Sequence, residues 1–507
     1  MADTVELTAA RIAKGSIYLT LKSILSTLIA VSGFAFMARI ITQEEMGVIA
    51  GVTLLTSLVV LVSDFGLSSS IAKHVSELKG KGQDISSVVV SSIAFRIPIC
   101  IVLASSLFIF ASEISTILFK STIYVSAIGL LSIDAILLSL IQLLDNVLLG
   151  AGRLKSIAVF SIASILIRWL SIIVLLLVNG GTSGIILGWI IGDLTLMMLL
   201  TFSVTRLVNF KKETLETFKK QIPQLLRFAL PLYMALAVSF LHTWYDKALI
   251  LAYLPLSDMG IYTTVYLAYT VLVTIATALG SALLPYYGMA YGRNDHKAIS
   301  QGMKRASRYT ALAIFPLTLG LLATSRPTLT LFAGPQYETG WTVLAVLSLF
   351  GLAHGISPAL SNVLLIYGRT KTILLLSFIP VVSSLVLLPL VWVLGLFGLA
   401  VMRGTTLTLS LILTAYFINK TVRVEIDKRA LTRALIASAI MAVAILTIQQ
   451  ITYSTSHLPI YILVGAILYI ALIRALNILD HGDFQLLRQI VGKRAAKYVV
   501  KILGGRS

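Results

Sequence analysis

Charged residues are scarce in this chain. Asp, Glu, Lys and Arg make up 12% of its 507 residues, whereas hydrophobic residues make up 58%. Soluble globular domains carry about 25% charged residues. Because a water-soluble fold cannot bury so large a share of apolar side chains, this composition excludes an ordinary soluble protein. It indicates a chain whose main solvent is lipid.

Cysteine and the common catalytic motifs are also nearly absent. Cys100 is the only cysteine, and it lies inside an apolar run. The chain therefore has no intrachain disulfide and no cysteine-based metal site. The sequence contains no Walker-type phosphate loop, no HExxH and no GxSxG motif. The acids nearest the external face are Glu44, Glu45 and Asp258, and no large external loop accompanies them. We therefore expect no enzyme activity, no catalytic residues, no metal and no cofactor.

Acidic residues are half as frequent as basic ones, 21 against 40, which gives a net charge of +19. A nucleic-acid partner is excluded as the reason, because the basic residues lie in short loops between apolar runs of about 20 residues, the length that crosses a bilayer. With the N-terminus inside, most of them fall on one side, and Arg39, Lys120 and Arg326 are the exceptions. This asymmetry predicts a multi-pass protein of the cytoplasmic membrane with both termini in the cytoplasm. No cleavable signal-peptide pattern is present, and we expect the first apolar run to stay as a membrane helix.

The apolar runs predict an all-α polytopic membrane protein with 14 transmembrane helices. The predicted spans cover residues 15–38, 46–71, 85–110, 123–149, 157–178, 184–206, 226–250, 259–284, 307–326, 341–366, 372–394, 396–418, 433–452 and 458–476.

The sequence repeats itself at an offset of 213 to 218 residues. "NVLLGAGRLKS" (Asn146–Ser156) returns as "NVLLIYGRTKT" (Asn362–Thr372), and both copies fall at predicted cytoplasmic turns. Further pairs agree: "EEMGV" (44–48) with "SDMGI" (257–261), "ILF" (117–119) with "TLF" (330–332), and Pro98 with Pro316. Spans 1–6 and 7–12 are thus predicted to be two copies of one six-helix bundle. Because the number of helices per copy is even, the repeat is parallel, an architecture typical of transporters.

The repeat also predicts the domain boundaries. They are an N-terminal bundle at 1–207, a cytoplasmic linker at 208–225, a second bundle at 226–420, spans 13 and 14 within 421–476, and a basic amphipathic tail at 477–507. The tail pattern is typical of a helix lying on an anionic leaflet. A solvated basic tail that only enforces topology fits equally well.

Ten charged residues lie inside the spans and away from their ends, where each costs about 2.5 kcal/mol or more unless it meets a partner or a water-filled cavity. The cations are Lys22, Arg96, Arg168, Lys247 and Arg403; the acids are Asp64, Asp134, Asp145, Asp193 and Asp246. The positions of the second repeat that correspond to Arg96 and Arg168 carry no charge. We therefore expect the chemistry to lie mainly in spans 1–6.

The five cations are candidate contacts for an anionic group, because guanidinium forks match phosphate oxygens. Arg96 and Arg168 lie near mid-depth by helical rise. An alternative is that these two arginines pair with Asp134 or Asp193 and only hold the bundle together. For Lys22, snorkelling to the inner boundary competes with lining a cavity.

The acids are candidates for a coupling ion or for charge compensation. This set comprises Asp134, Asp145, Asp193 and Asp246, together with His242. Asp134, Gln142 and Asp145 are predicted to share one face of span 4. His242 fits a packed polar residue as well as a proton carrier.

Several passages resemble one family. They are "ARIITQEEMGVIAGVTLLTSLVVLVSDFGLSSSIAKHVSE" (38–77), "FALPLYMALAVSFLHTWYDKALILAYLPLSDMGIYTTVYLAY" (228–269), "LLPYYGMAYGRND" (283–295), "LFAGPQYETGWTVLAVLSL" (331–349) and "LSNVLLIYGRTK" (360–371). They are similar to Wzx-type polysaccharide flippases of the multidrug/oligosaccharidyl-lipid/polysaccharide exporter superfamily. The resemblance implies an alternating-access flippase that moves a polyprenyl- or dolichyl-(pyro)phosphate-linked glycan to the outer leaflet for surface polysaccharide or glycoprotein synthesis. It also implies partners such as a glycan polymerase, a ligase or an oligosaccharyltransferase.

Three other functions stay open at this point. A drug or cation antiporter of the same superfamily would have acids dominating its cavity, whereas here the cations equal the acids in number. A membrane glycosyltransferase, polymerase or ligase would have a large external loop or catalytic carboxylates, which are not evident. A non-catalytic assembly subunit of a glycan-synthesis complex would not need its buried arginines for export.

Overall fold

The structure is a computed structural model that describes residues 2–209 and 215–479. Within these ranges the chain folds into seventeen α-helices and contains no strand. The helices are α1 (Ala2–Ile40), α2 (Gln43–Asp64), α3 (Leu67–Gly80), α4 (Ser86–Ile109), α5 (Ala111–Phe119), α6 (Val125–Gly150), α7 (Leu154–Leu177), α8 (Gly181–Thr205), α9 (Leu215–Tyr253), α10 (Leu256–Gly292), α11 (His296–Ala323), α12 (Ser325–Ala333), α13 (Trp341–Ile366), α14 (Thr370–Leu387), α15 (Pro389–Asn419), α16 (Lys428–Ile451) and α17 (Leu458–Ala475).

Fourteen segments of the described residues are long and apolar enough to cross a membrane. They lie on every α-helix except the short α3, α5 and α12. The predicted number of spans and the all-α fold are confirmed. Span 10 was predicted at 341–366 and is α13, Trp341–Ile366. The protein is therefore a multi-pass membrane protein.

The chain packs as two compact units that divide between Gly260 and Ile261. The first unit contains α1 to α9, and the second contains α11 to α17 with nearly all of α10. In the second unit, α16 and α17 pack against α11 through a buried cluster that includes Leu319, Met441 and Tyr461. The domain boundaries inferred from the sequence repeat, at 208–225 and 420–421, stay a prediction. Residues 210–214 of the predicted linker and 480–507 of the predicted amphipathic tail lie outside the described residues.

The repeated passages fold into the same turn in both units. After α6, the backbone N–H of Arg153 donates to the carbonyl oxygen of Leu148 at 2.9 Å; after α13, Arg369 donates to Leu364 at 3.0 Å. Gly152 and Gly368 hold the left-handed position, with φ of 71° and 63°. Glycine is required there because a Cβ atom disfavours this backbone conformation. The repeat in the sequence is thus a repeat of local structure.

One helix differs between the two halves. In the second half, α10 is continuous over 37 residues. In the first half the equivalent stretch breaks after Asp64, because Phe65 and Gly66 adopt φ of 47° and 75°, and it resumes as α3. A side chain at position 66 would place its Cβ 2.5 Å from the carbonyl oxygen of Ala229 on α9. Span 2 was predicted to run unbroken through 46–71, and this prediction is wrong at Phe65 and Gly66.

Candidate substrate and ion site

Six charged side chains are buried within the described part of the chain. Five belong to the first unit and one to the second: Asp64, Arg96, Asp134, Asp193, Asp246 and Arg403. Buried charge in a membrane protein requires partners or a function. The expectation that the charged chemistry lies mainly in the first half agrees with this distribution.

Arg96 is wholly buried and its donors are occupied. On α4 it donates from Nη1 to Asp64 Oδ1 at 2.6 Å and to Ser68 Oγ at 2.8 Å. Its Nε donates to Ser139 Oγ at 2.8 Å and its Nη2 to Gln142 Oε1 at 3.1 Å, both on α6. The side chain has no exposed surface. Arg96 therefore ties α4 to α2, α3 and α6 and offers no face to an incoming anion in this structure.

This network sits at the break between α2 and α3. Asp64 is the last residue of α2, and its Oδ1 also accepts the backbone N–H of Ser68, in the first turn of α3, at 3.1 Å. The Ser68 hydroxyl donates to the same oxygen. Because the break frees backbone N–H groups that a continuous helix would pair, the carboxylate replaces the lost intrahelical acceptors. The Arg96–Asp64 pair thus accompanies the left-handed turn.

Arg168 has a different environment. Its Nη2 donates to Asp193 Oδ2 at 2.7 Å, and 27% of its side chain is exposed. Its Nε has no hydrogen-bond partner among the described residues, and its guanidinium lies 5.6 Å from the centre of the Trp189 ring. Donors on an arginine that is still reachable can bind a further anion.

Close packing of α7 on α8 positions Arg168. A Cβ atom on Gly192 would lie 2.5 Å from Arg168 Cβ, so only glycine fits between the two backbones. One helical turn earlier on α7, the Ser164 hydroxyl donates to the carbonyl oxygen of Gly192 at 2.9 Å. The approach fixes the guanidinium beside Asp193, the next residue on α8.

Asp134 on α6 completes this cluster. It has no exposed surface and lies within electrostatic range of both Asp193 and Arg168. No donor reaches either of its carboxylate oxygens within the described residues. The group of Asp134, Arg168 and Asp193, called the acidic cluster below, thus holds two carboxyl groups and one guanidinium.

The remaining candidates of the first unit form two smaller sites. Lys22 on α1 is half-buried and lies within electrostatic range of Asp145 on α6. On α9, Asp246 is buried and its Oδ1 accepts the backbone N–H of Lys247 at 2.8 Å. The Lys247 ammonium lies 4.2 Å from the centre of the Trp244 ring, a cation–π contact.

His242 lies on the same helix, with its ring centre 6.5 Å from that of Tyr245.

In the second unit, Arg403 on α15 joins a row of tyrosines on α10. Its Nη2 donates to the Tyr266 hydroxyl at 2.8 Å, and its guanidinium lies 4.9 Å from that ring's centre. Tyr262 stacks on Tyr266 with ring centres 5.9 Å apart, and Tyr269 follows at 6.1 Å. The Tyr269 hydroxyl lies 3.0 Å from Nδ1 of His354 on α13. The spacing 262, 266, 269 places the three rings on one helical face.

The structure brings together some predicted residues and separates others. Of the proposed pairings of Arg96 and Arg168 with Asp134 or Asp193, that of Arg168 with Asp193 is present, whereas Arg96 pairs with Asp64. Asp134, Gln142 and Asp145, predicted on one face of span 4, meet different partners. The reason is that several helices surround α6, so a broad polar face is divided among them. Their assignment to substrate or ion stays a prediction.

Sequence reasoning missed the Asp64–Arg96 pair and the tyrosine row. Asp64 was recognised as a charge within a span but not as the partner of Arg96. The tyrosine row had a signal in the sequence, namely three tyrosines at spacings of four and three on a predicted helix.

Comparisons with known proteins agree with this fold. At 22% identity over 457 residues, which cover 89% of this chain and 93% of the relative, the chain is similar to a probable low-salt glycan biosynthesis flippase, Agl15, of Haloferax volcanii. It is 24% identical over 320 residues, 62% of this chain and 60% of the relative, to the succinoglycan biosynthesis transport protein ExoT of Rhizobium meliloti.

Solved structures show the same fold. The lipid II flippase MurJ in an inward closed conformation matches with a TM-score of 0.72 at 17% identity, over 91% of this chain and 98% of that one. An inward-facing multidrug resistance MATE family transporter of the MOP superfamily matches with a TM-score of 0.59 at 14% identity, over 85% and 99% of the two chains. The predicted architecture is thus that of solved transporters.

The family itself is settled by sequence. The model of the family described as polysaccharide biosynthesis protein matches residues 36–342, well over half of the chain. The resemblance found from the quoted passages is confirmed at this level. This chain belongs to the polysaccharide biosynthesis protein family.

Proposed function

We propose that the chain is a flippase for lipid-linked oligosaccharides whose sugar is joined to the lipid through a phosphate or pyrophosphate. It carries the head group from the cytoplasmic to the outer leaflet by alternating access, while the lipid tail stays in the bilayer. No bond is made or broken, so the protein acts as a transporter and not as an enzyme. The family and the relative named as a glycan biosynthesis flippase support the substrate class.

The observation that carries this proposal is the state of Arg168. It lies midway along a membrane helix and is partly exposed, and the hydrogen bond described for its guanidinium, from Nη2 to Asp193, leaves other N–H donors of the fork available. A guanidinium has five N–H donors arranged as a fork that matches phosphate oxygens. Arg168 can therefore bind a phosphate without first losing Asp193. Among the predicted substrate contacts it is our first choice.

Arg96 takes a structural role in this proposal, because its donors already serve Asp64, Ser68, Ser139 and Gln142 and its side chain is buried. Lys22, Lys247 and Arg403 stay proposed contacts of the head group or of its sugars. Asp145, Asp246 and His242 stay proposed sites of charge compensation.

We further propose that the protein resides in the cytoplasmic membrane with both termini in the cytoplasm. The excess of basic residues in alternate loops supports this orientation. Enzymes that build the lipid-linked glycan would supply the substrate, and a polymerase, ligase or oligosaccharyltransferase would consume it on the other side.

The test is reconstitution in liposomes with a fluorescent polyprenyl-pyrophosphate-linked sugar, whose movement between leaflets is followed by quenching from outside. Arg168→Lys is the main variant, because it keeps the positive charge beside Asp193 and removes the planar fork. Lys155→Arg, at an exposed position in the first turn of α7, is the matched control. We expect the wild type and the control to move the lipid, and Arg168→Lys to move it at least tenfold more slowly at equal abundance.

Other outcomes discriminate among the alternatives. Equal rates for Arg168→Lys and wild type would keep the flippase and remove Arg168 from the site. If the folded wild type moves no lipid-linked sugar but exchanges organic cations, the antiporter function replaces the flippase. If it does neither, the assembly-subunit function replaces it.

A further inference from the structure

We propose that Asp134 and Asp193 together bind one monovalent cation in the first unit, and that this cation is a proton shared between the two carboxyl groups. The site lies on α6 and α8, with Arg168 of α7 beside it. The inference concerns an ion, not the glycan, and its structural part does not depend on the proposed substrate.

The charge of the acidic cluster supports a bound cation. Asp134 has no exposed surface and Asp193 has 4%, so both carboxyl groups are removed from water. With both ionised, they carry two negative charges against the single positive charge of Arg168. A low-dielectric interior makes an uncompensated charge costly, and two close carboxylates cannot both stay ionised without a further cation.

The hydrogen bonds of Asp134 point to the same conclusion. No N–H or hydroxyl donor reaches either of its oxygens among the described residues. A carboxylate only accepts hydrogen bonds, whereas a protonated carboxyl group also donates one. With a proton on either group, Asp134 and Asp193 can hydrogen-bond each other, and one of the two buried oxygens of Asp134 gains a partner.

The charged groups on the neighbouring helices do not supply the missing cation. Arg168 is the cation facing Asp134, and it already donates to Asp193. On α4, the Arg96 guanidinium pairs with Asp64 of α2. Elsewhere on α6, Asp145 lies within electrostatic range of Lys22. On α3, Lys79 donates to a carbonyl oxygen at the end of α6. On α5, Glu113 is exposed.

A proton fits this site better than a metal ion. Hard metal cations take about six oxygen ligands or more. The described residues contain no group of three or more acidic, histidine or cysteine side chains arranged to hold a metal ion. Two carboxyl groups are enough to share a proton, because one carries it and the other accepts the hydrogen bond. The guanidinium of Arg168 compensates the negative charge that remains.

The site also bears on transport, and this part rests on the proposed function. A phosphate bound to the exposed part of Arg168 leaves Asp193 in place but shares the positive charge of the guanidinium with it. With less compensation from Arg168, the carboxyl pair holds its proton more tightly. By thermodynamic reciprocity, the proton strengthens phosphate binding by the same factor. Proton and head group would thus bind together at one cluster.

Infrared difference spectroscopy of the purified protein in lipid tests the site without any substrate. A protonated carboxyl group has a C=O stretch separate from the bands of a carboxylate, and deuterium exchange shifts it. We expect this band in the wild type at neutral pH, and its loss in Asp134→Asn and in Asp193→Asn. Glu113→Gln, at an exposed position of α5, is the control and should keep the band. Thermal unfolding verifies that each variant is folded. Because Asn closely matches a protonated Asp in shape, we expect little shift in the unfolding temperature of Asp134→Asn.

Two results would overturn the proposal. One is absence of the band in the folded wild type at neutral pH. If sodium, but not choline, then raises the unfolding temperature of the wild type and leaves that of Asp134→Asn unchanged, the site holds a metal cation and not a proton. The other is a band that survives in both folded variants.

Proton uptake on adding a polyprenyl phosphate tests the linkage separately. At an alkaline pH where the wild-type band has fallen to half its neutral intensity, we expect net uptake of a fraction of a proton per bound lipid in the wild type and none in Asp134→Asn. No uptake by a wild type that binds the lipid would refute the linkage. If the band behaves as expected but no lipid binds, the cation site stands and the proposed substrate fails.

Discussion

The buried pair of Arg96 and Asp64 allows a prediction about stability that is independent of any substrate. Arg96→Met keeps the length of the side chain and removes its charge. It leaves Asp64, whose side chain is 2% exposed, as a buried carboxylate without its cation. Breaking a buried ion pair from one side costs about 3–5 kcal/mol. We therefore expect the unfolding equilibrium constant to rise by about two to four orders of magnitude.

The reverse change gives the second side of a double-mutant cycle. Asp64→Asn leaves the Arg96 guanidinium buried without a carboxylate and should cost a similar free energy of unfolding. The double variant Arg96→Met/Asp64→Asn contains no uncompensated charge at this place. Because the two residues interact directly, the cost of the double variant should fall below the sum of the single costs by about 1–3 kcal/mol.

Reversible unfolding of the purified protein in mixed detergent and denaturant, followed by tryptophan fluorescence, measures these free energies. The pair Lys73 and Glu77 on α3 is the control, since its atoms lie 3.5 Å apart and its side chains are 43% and 50% exposed. Removing one partner of such an exposed pair should cost less than about 1 kcal/mol. Additive single costs for Arg96 and Asp64, or costs as small as those of the control, would refute the reasoning.

Three further changes test particular contacts by the same unfolding measurement. Gly152→Ala and Gly368→Ala should each lower the free energy of unfolding by about 1–2 kcal/mol, because both glycines hold a left-handed backbone; a cost at one turn only would mean that the turns are not equivalent. Gly66→Ala should cost more, since its Cβ would lie 2.5 Å from a backbone oxygen of α9; a variant as stable as wild type would contradict the break in the helix. Tyr266→Phe removes the acceptor of the 2.8 Å hydrogen bond from Arg403 and should cost about 1.5–3 kcal/mol; an unchanged free energy of unfolding would mean that this hydrogen bond does not stabilise the second unit.

The sequence predicted the parts of the fold that depend on composition and local pattern. Apolar length decides whether a segment crosses a bilayer, so the number of spans followed directly. Gly152 and Gly368 stand at matching places in the repeated passages, and both form the same turn. Hydropathy carried no sign of the break at Phe65, because a phenylalanine in the left-handed region depends on its surroundings and not on its own preference.

The sequence identified the charges of the site but not their partners. Each ionisable residue within a span was certain to need a partner or a cavity, and this holds for Arg96 and Arg168. Which acid each one meets depends on the rotation and approach of neighbouring helices, which glycines such as Gly192 set to a few tenths of an ångström. Spacing along one helix cannot supply this, and so the alternative to substrate contact paired Arg96 with Asp134 or Asp193, whereas its partner is Asp64.

The difference between α10 and the α2–α3 pair has a mechanical consequence. At 1.5 Å per residue, the 37 residues of α10 form a rod of about 55 Å. Before Pro285, which has no backbone N–H to donate, each turn of this helix is hydrogen-bonded to the next, so a push at its first residue is carried along it. In the equivalent stretch of the first half, the helical hydrogen bonds are interrupted at Phe65 and Gly66, and the Asp64 carboxylate accepts a hydrogen bond from Ser68 across this break. The position equivalent to the break at Phe65 and Gly66 is thus continuous helix in the second half, so an equal load on the two halves would bend the chain at this position only in the first half.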